Sequence, residues 1–375
     1  MRLLCVILFL TLSASAIAGT KQIEQVDRQI MDYIFNAQWQ KADSIIESKI
    51  KEYPNHPKYY YMKAPLYFYT RYFAQGQMPN DSLRQLVEDY ALKAIEIGEE
   101  LEESTEVKFY LGASYGFLSR VQVMKREYWD GFWSADECED YLEEVLEEDP
   151  EFYDAYVALG VMEYYPTVVN NSWVRAFAFL VGMSGDRETG MKYFERTYNK
   201  GSLCKNEAHF ILATLNRFTE NDLDKGYQYF NSLHQEFPDN PFVEQQLNTT
   251  KFAKLIADEG TGFLEKEFDV LKEKYQIANS GVLNAIGYYY IGQEKLDIAL
   301  AVFKTNIKLY PDEANPYDSL AECFVNMGDN QNAIKYYKIA YGKLDTDPQI
   351  NDAFRERLRT GIEERLDDLG ADVSS

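Results

Sequence analysis

The chain has 375 residues, with 61 Asp and Glu against 38 Lys and Arg, a formal net charge of −23. Apolar residues make up 46% and aromatic residues 15%, while Gly (21) and Pro (11) are sparse, so a disordered or low-complexity chain is excluded and a packed core is expected. The acidity argues against nucleic acid and anionic lipid as partners, because phosphates are held by Lys and Arg fields.

Met1 and Arg2 precede an apolar run, Leu3 to Leu12, and small residues ending Ala16-Ile17-Ala18 before Gly19. A basic start, a short apolar stretch and an A-x-A site are the layout of a secretory leader. Residues 1–18 are therefore expected to be a signal peptide cleaved after Ala18, leaving no integral membrane segment. Export to a periplasm is the expectation, with an extracellular or peripheral outer-membrane location as alternatives. Cys138, Cys204 and Cys323 then remain, an odd number at spacings that match no zinc or redox motif, and they read as small buried side chains.

Ile30 and Tyr33, followed by Ala42, Ile46 and Pro54, read as a helix pair. Gly76, Pro79 and Asn80 mark a loop over Ala74 to Asp81, after which Ser82 to Glu103 is expected to be a helix capped by Asp81 or Ser82. Glu99, Glu100, Glu102, Glu103 and Glu106 form a solvated face. Val107 to Trp129 lacks proline and is expected to be one continuous helix carrying Leu111, Gly112 and Tyr115; Cys138, Leu142, Val145 and Pro150 mark the next. Tyr156, Leu159 and Gly160 begin a further helix that Pro166 is expected to interrupt. The apolar stretch Trp173 to Val181 is too short to cross a bilayer and reads as a buried helix. Beyond the turn Gly185-Asp186, Gly190 and Phe194 recur as Gly226 and Phe230 at an offset of 36, with Pro238 closing the second of these.

Residues 280–313 and 314–347 superimpose at an offset of 34. Leu283 pairs with Tyr317, Ile286 with Leu320, Gly287 with Ala321, Tyr290 with Phe324, Ala299 with Ala333, and Phe303 with Tyr337. Small residues alternate with large ones because two antiparallel helices approach closely only where one side chain is Gly or Ala and a neighbouring ring fills the hole. Phe354, Leu358, Ile362 and Leu366 then recur every four residues among charges, the single apolar stripe that a terminal capping helix needs.

These residues carry a resemblance to the tetratricopeptide repeat family. The second unit fits best (Tyr317, Leu320, Ala321, Phe324, Gly328, Ala333, Tyr337, Ala340); the first departs at Asn306, where a small residue is usual, and places Gly292 two residues early for the turn. The resemblance implies an all-α, right-handed superhelical solenoid of antiparallel helix pairs. Its expected organisation is a signal peptide (1–18), divergent repeats with insertions (19–279), two clear units (280–347), and a capping helix with a polar tail (348–375).

Motifs that would carry chemistry sit in the wrong context. Gly112-Ala113-Ser114-Tyr115-Gly116 matches the G-x-S-x-G nucleophile elbow, which needs a strand-to-helix turn, but here it falls within a helix. Ser48 and Lys51 form an isolated S-x-x-K string. His56, His209 and His234 are dispersed, with His56 expected to be an exposed turn residue. Asp222 and Asp224 lack the remaining ligands of a calcium loop. No cofactor or metal is expected.

Mapping the family's groove-facing positions gives Asn284, Tyr288 and Ile291 in the first clear unit, Asp318, Glu322 and Val325 in the second, and Tyr164 and Tyr165 further upstream. With 30 tyrosines, including the runs Tyr59-Tyr60-Tyr61 and Tyr288-Tyr289-Tyr290, one ring of each run must face a groove or water, since successive helical side chains point about 100° apart. The expectation is a non-catalytic scaffold of the cell envelope that holds an extended, neutral or basic protein or peptide partner in an acidic, Tyr-lined groove. Two alternatives stand beside it: a glycan-active enzyme using two of Glu144, Asp149, Glu163 and Asp186, and a structural adaptor of an envelope secretion or assembly complex.

Overall fold

A computed structural model describes residues 25–74, 80–168 and 184–372. The expected signal peptide, most of the loop at 74–81 and the apolar stretch from Trp173 to Val181 lie outside them. Every regular element among the described residues is helical. The chain divides into two compact units, one of Met1–Thr214 with Gln228–Glu244 and one of Leu215–Tyr227 with Gln245–Ser375.

The first unit opens with α1 (25–35), α2 (Trp39–Glu52), α3 (Pro57–Phe73) and α4 (Asn80–Glu99), followed by α5 (Thr105–Lys125), α6 (Tyr128–Glu148), α7 (Tyr156–Val168) and α8 (Arg187–Lys200). Helices α3 and α4, α4 and α5, α5 and α6, and α7 and α8 pack side by side. The expected continuous helix from Val107 to Trp129 instead ends at Lys125. Arg126 turns left-handed (φ 67°), and its N–H bonds the carbonyls of Gln122 and Val123. A two-residue turn then starts α6. Both helices are 21 residues long, which accounts for the stretched repeat spacing in this region.

Helix α4 begins at Asn80, so Asp81 and Ser82 lie in its first turn and do not cap it. Pro166 does not interrupt α7: the helix runs through it to Val168, forgoing the one N–H bond to the i−4 carbonyl that proline cannot make. Glycine allows α7 and α8 to cross closely, since a Cβ on Gly160 would stand 2.8 Å from the Phe194 ring and one on Gly190 2.8 Å from Tyr164 Cβ. His56 is half-buried rather than an exposed turn residue: its Nδ1 accepts the N–H of Lys58 at 3.2 Å and caps α3.

The unit division falls within α9 (Lys205–Phe218), α10 (Leu223–Glu236) and α11 (Pro241–Glu259). The second unit continues with α12 (Gly262–Lys266), a 3₁₀ turn (Phe268–Val270) and α13 (Leu271–Lys274). After these come α14 (Ser280–Gly292), α15 (Leu296–Leu309), α16 (Asn315–Asn326), α17 (Asn330–Lys343) and α18 (Asp352–Asp368). One apolar core runs through them, from Phe252 and Ile256 by way of Ile286, Phe303, Leu320 and Tyr337 to Ile362 and Leu366. Helices α14 and α15 repeat as α16 and α17 at the 34-residue offset read from the sequence. The left-handed turn residue also recurs at that offset, as Glu294 (φ 57°) and Gly328 (φ 75°). Gly292 is thus the last residue of α14, and a non-glycine residue carries the turn.

Candidate partner-binding face

Helices α14, α16 and α18 supply neighbouring polar side chains on one face of the second unit. The Tyr288 hydroxyl on α14 donates to Glu322 Oε2 on α16 at 2.9 Å and lies 3.3 Å from Ser319 Oγ. From α18, Arg365 donates through Nη1 to Asp318 Oδ1 at 3.2 Å and through Nη2 to Glu322 Oε2 at 3.4 Å. Its guanidinium also lies over the Tyr337 ring. Burial pushes the Asp318 carboxyl up to about 6 against the opposing pull of Arg365. Burial and the Glu322 charge both raise the Tyr288 hydroxyl, so it stays protonated as a donor.

The residues expected to face a groove are therefore not equivalent. Tyr288 (38% exposed) and Val325 (39%) are open, and Ile291 and Glu322 are half-buried. Asp318 is buried in its pair with Arg365. Asn284 is buried too, and its Oδ1 accepts from Asn306 Nδ2 at 2.8 Å; the same amide reaches the Ser280 carbonyl at 3.0 Å. Asn306, the departure from the repeat pattern, thus ties the two helices of its hairpin together. In the first unit, Tyr164 is fully buried on α7 and Tyr165 is exposed.

The tyrosine runs divide as helical geometry requires. Tyr290 is buried, with its hydroxyl on the Ala253 carbonyl at 2.7 Å, and Tyr289 packs on the Arg217 guanidinium, leaving Tyr288 outward. Tyr59 and Tyr61 are buried, while Tyr60 is partly exposed.

Arg365 was not legible as part of this face. Its only sequence signal is a cation flanking the apolar stripe of α18 in an acid-dominated chain, and the loop before α18 shifts the repeat register that would otherwise place it.

Of the four carboxylates considered for glycan chemistry, Glu144, Asp149 and Asp186 are exposed and Glu163 is half-buried, each with local partners. Glu144 pairs with Lys108 at 2.7 Å, Asp149 caps the N–H of Glu151, Glu163 accepts the N–H of Asp186 at 2.6 Å, and Asp186 caps α8 through Thr189. A small cavity of about 10 Å³, room for roughly one water, contains none of them. It is lined instead by Tyr61, Arg120, Asp154, Cys204 and Glu207. There Arg120 pairs with the buried Glu207 at 2.7 Å. Asp154 accepts the N–H groups of Ser202, Leu203 and Cys204 and so holds the turn before α9.

Ser114 is buried inside α5, where its hydroxyl donates to the Tyr110 carbonyl, so it has no nucleophile-elbow geometry. Cys138, Cys204 and Cys323 are buried free thiols, and burial pushes Cys138 up to about 12 and Cys323 up to about 11. No cluster of metal-binding side chains occurs among the described residues, and no described helix is long and apolar enough to cross a membrane.

No protein-family model matches the chain, and no curated protein does. Among solved structures it is similar to a tetratricopeptide repeat protein from Parabacteroides merdae, at 13% identity and a TM-score of 0.30, over 90% of this chain and 98% of that one. It is also similar to yeast Tom70, at 13% identity and a TM-score of 0.25, over 90% of this chain and 86% of that one. Likeness at that level carries no inference about activity or partner. The chain's own helices establish the repeat type: with two closely matching hairpins at the 34-residue offset, Gly287 set against the Phe303 ring, and Ala321 and Tyr337 buried at the matching positions, the protein has an all-α, tetratricopeptide-type fold.

Proposed function

We propose that the protein is a non-catalytic scaffold of the cell envelope, exported through its N-terminal leader, that binds an extended neutral or basic protein or peptide segment. The observation that carries this reading is the joined face of α14, α16 and α18. Hydrogen bonds and ion pairs run from helix to helix, while Tyr288 and Val325 stay open to solvent. An aromatic ring with a fixed hydroxyl and a neighbouring aliphatic side chain supply contact area at low entropic cost, and Glu322 favours a cationic over an acidic group opposite it. Arg365 already neutralises part of the face, so a neutral segment suits it as well as a basic one.

The test is to measure the affinity of a co-purified envelope partner for the intact chain and for Tyr288→Ala, Val325→Asp and their combination. Each change is expected to weaken binding about tenfold while the far-ultraviolet circular dichroism stays the same. A partner that binds the double variant as tightly as the parent chain would place the binding surface elsewhere.

A further inference from the structure

Helix α6 presents an outward face that joins exposed aromatic rings to carboxylates. Its inner side, Gly131, Ser134, Ala135, Cys138, Leu142 and Val145, is buried. On the outer side Trp129 (62% exposed) and Trp133 (58%) follow each other one helical turn apart, and the Trp133 ring rests edge-on against Phe132. The same face continues with exposed Glu137, Asp140, Glu143, Glu144 and Glu147. Helix α6 carries nine carboxylates and no Lys or Arg. Lys108 pairs with Glu144 and Glu148, whereas Glu137, Asp140, Glu143 and Glu147 have no ion pair among the described residues. The other cations of α5 are engaged elsewhere, Arg120 with Glu207 and Lys125 with Glu88 and Glu127. Burial, and then the charges of Glu143, Glu163, Asp136 and Asp140, raise the Glu139 carboxyl.

Both indoles expose apolar area at the surface, and a π face beside carboxylates attracts guanidinium and ammonium groups. We infer that the outer face of α6 docks a basic segment of a partner protein, with apolar or cationic side chains on Trp129 and Trp133 and Arg or Lys opposite the carboxylates that follow. This surface is separate from the Tyr288 face and does not depend on its assignment.

The probe is a fluorescein-labelled peptide of alternating Arg and Leu, compared with its Glu/Leu counterpart and with an Arg/Gly peptide of equal charge, all read by anisotropy on the full chain. The Arg/Leu peptide is expected to bind, and to bind about tenfold more weakly at 0.5 M than at 0.05 M salt. The Trp129→Ala/Trp133→Ala variant, whose altered side chains are mostly solvent-exposed, should lose about tenfold, as should the Glu137→Gln/Asp140→Asn/Glu143→Gln variant. Leu92→Ala, which removes an exposed apolar side chain of α4 outside both faces, should bind like the parent chain. Equal binding of the Arg/Gly peptide, or undiminished Arg/Leu binding by the Trp variant, would reduce the effect to general attraction by an acidic protein and overturn the inference. A loss in Tyr288→Ala alone would assign the peptide to the other face and overturn it as well.

Discussion

The tightest crossing in the second unit gives the sharpest test of why the repeat pattern exists. Replacing Gly287 by alanine would place a methyl carbon 2.3 Å from Phe303 Cζ and 2.4 Å from its Cε1, where carbon atoms pack at about 3.5–4.0 Å. The ring would have to retreat by more than 1 Å. Phe303 is fully buried, and the Tyr288 ring stands edge-on to it with centroids 5.4 Å apart, so there is no open volume behind it. Overpacking of this kind costs about 1–3 kcal/mol, against about 1 kcal/mol gained from alanine's helix propensity. A net loss of up to about 2 kcal/mol, and no gain, is expected for Gly287→Ala in urea denaturation followed by circular dichroism. The control is Gly361→Ala within α18, where nothing lies within 4 Å of the new methyl group and only the propensity gain of about 1 kcal/mol remains. Adding Phe303→Leu to Gly287→Ala should restore part of the loss, seen as a coupling of about 1 kcal/mol in a double-mutant cycle. If Gly287→Ala stabilised the chain as Gly361→Ala does, the interlock between Gly287 and Phe303 would not be what sets this crossing.

Glu294 occupies the left-handed position that Gly328 fills in the next repeat, so Glu294→Gly should stabilise by about 1 kcal/mol, whereas Gly328→Glu should destabilise by a similar amount; equal stabilities would remove the strain argument. Ala333 is fully buried between packed helices, and Ala333→Glu should cost about 3 kcal/mol or more; unchanged thermal unfolding would contradict the repeat assignment. Because burial holds Asp318 at about 6, above its ordinary 3.8, the folded chain binds that proton more tightly than the unfolded chain. The stability this confers is complete below about pH 4 and is lost as pH rises through about 6. The stability difference between the parent chain and Asp318→Asn should therefore shift by about 2 kcal/mol in the variant's favour between pH 4 and pH 7. A pH-independent difference would show that Asp318 stays ionised throughout.

The second unit was the most legible part of the chain, because α14 to α17 keep one period and the small-against-large alternation at each crossing is written in residue size. The first unit was less so. Its hairpin of α5 and α6 exceeds the repeat length, and its turn is made by Arg126, a residue type that gives no turn signal, so Trp129 and Trp133 could not be recognised as an exposed pair on a new helix. Pro166 misled because the helix runs through it at the loss of one N–H bond. At the candidate face, repeat position identified Tyr288, Glu322 and Val325 but not which groups would be consumed internally. Asn284 is taken up by Asn306 and Asp318 by Arg365, and the latter partner comes from 47 residues away.

The most direct measurement is photocrosslinking in the native envelope, with a benzophenone side chain placed in turn at position 288, at position 325 and, as a control within the second unit, at the open position 361. The account predicts that positions 288 and 325 capture the same protein partner, that position 361 does not, and that Glu322→Lys suppresses the capture of a basic segment. Capture only from position 361, or none from positions 288 and 325 while the intact chain still co-purifies with its partner, would contradict it.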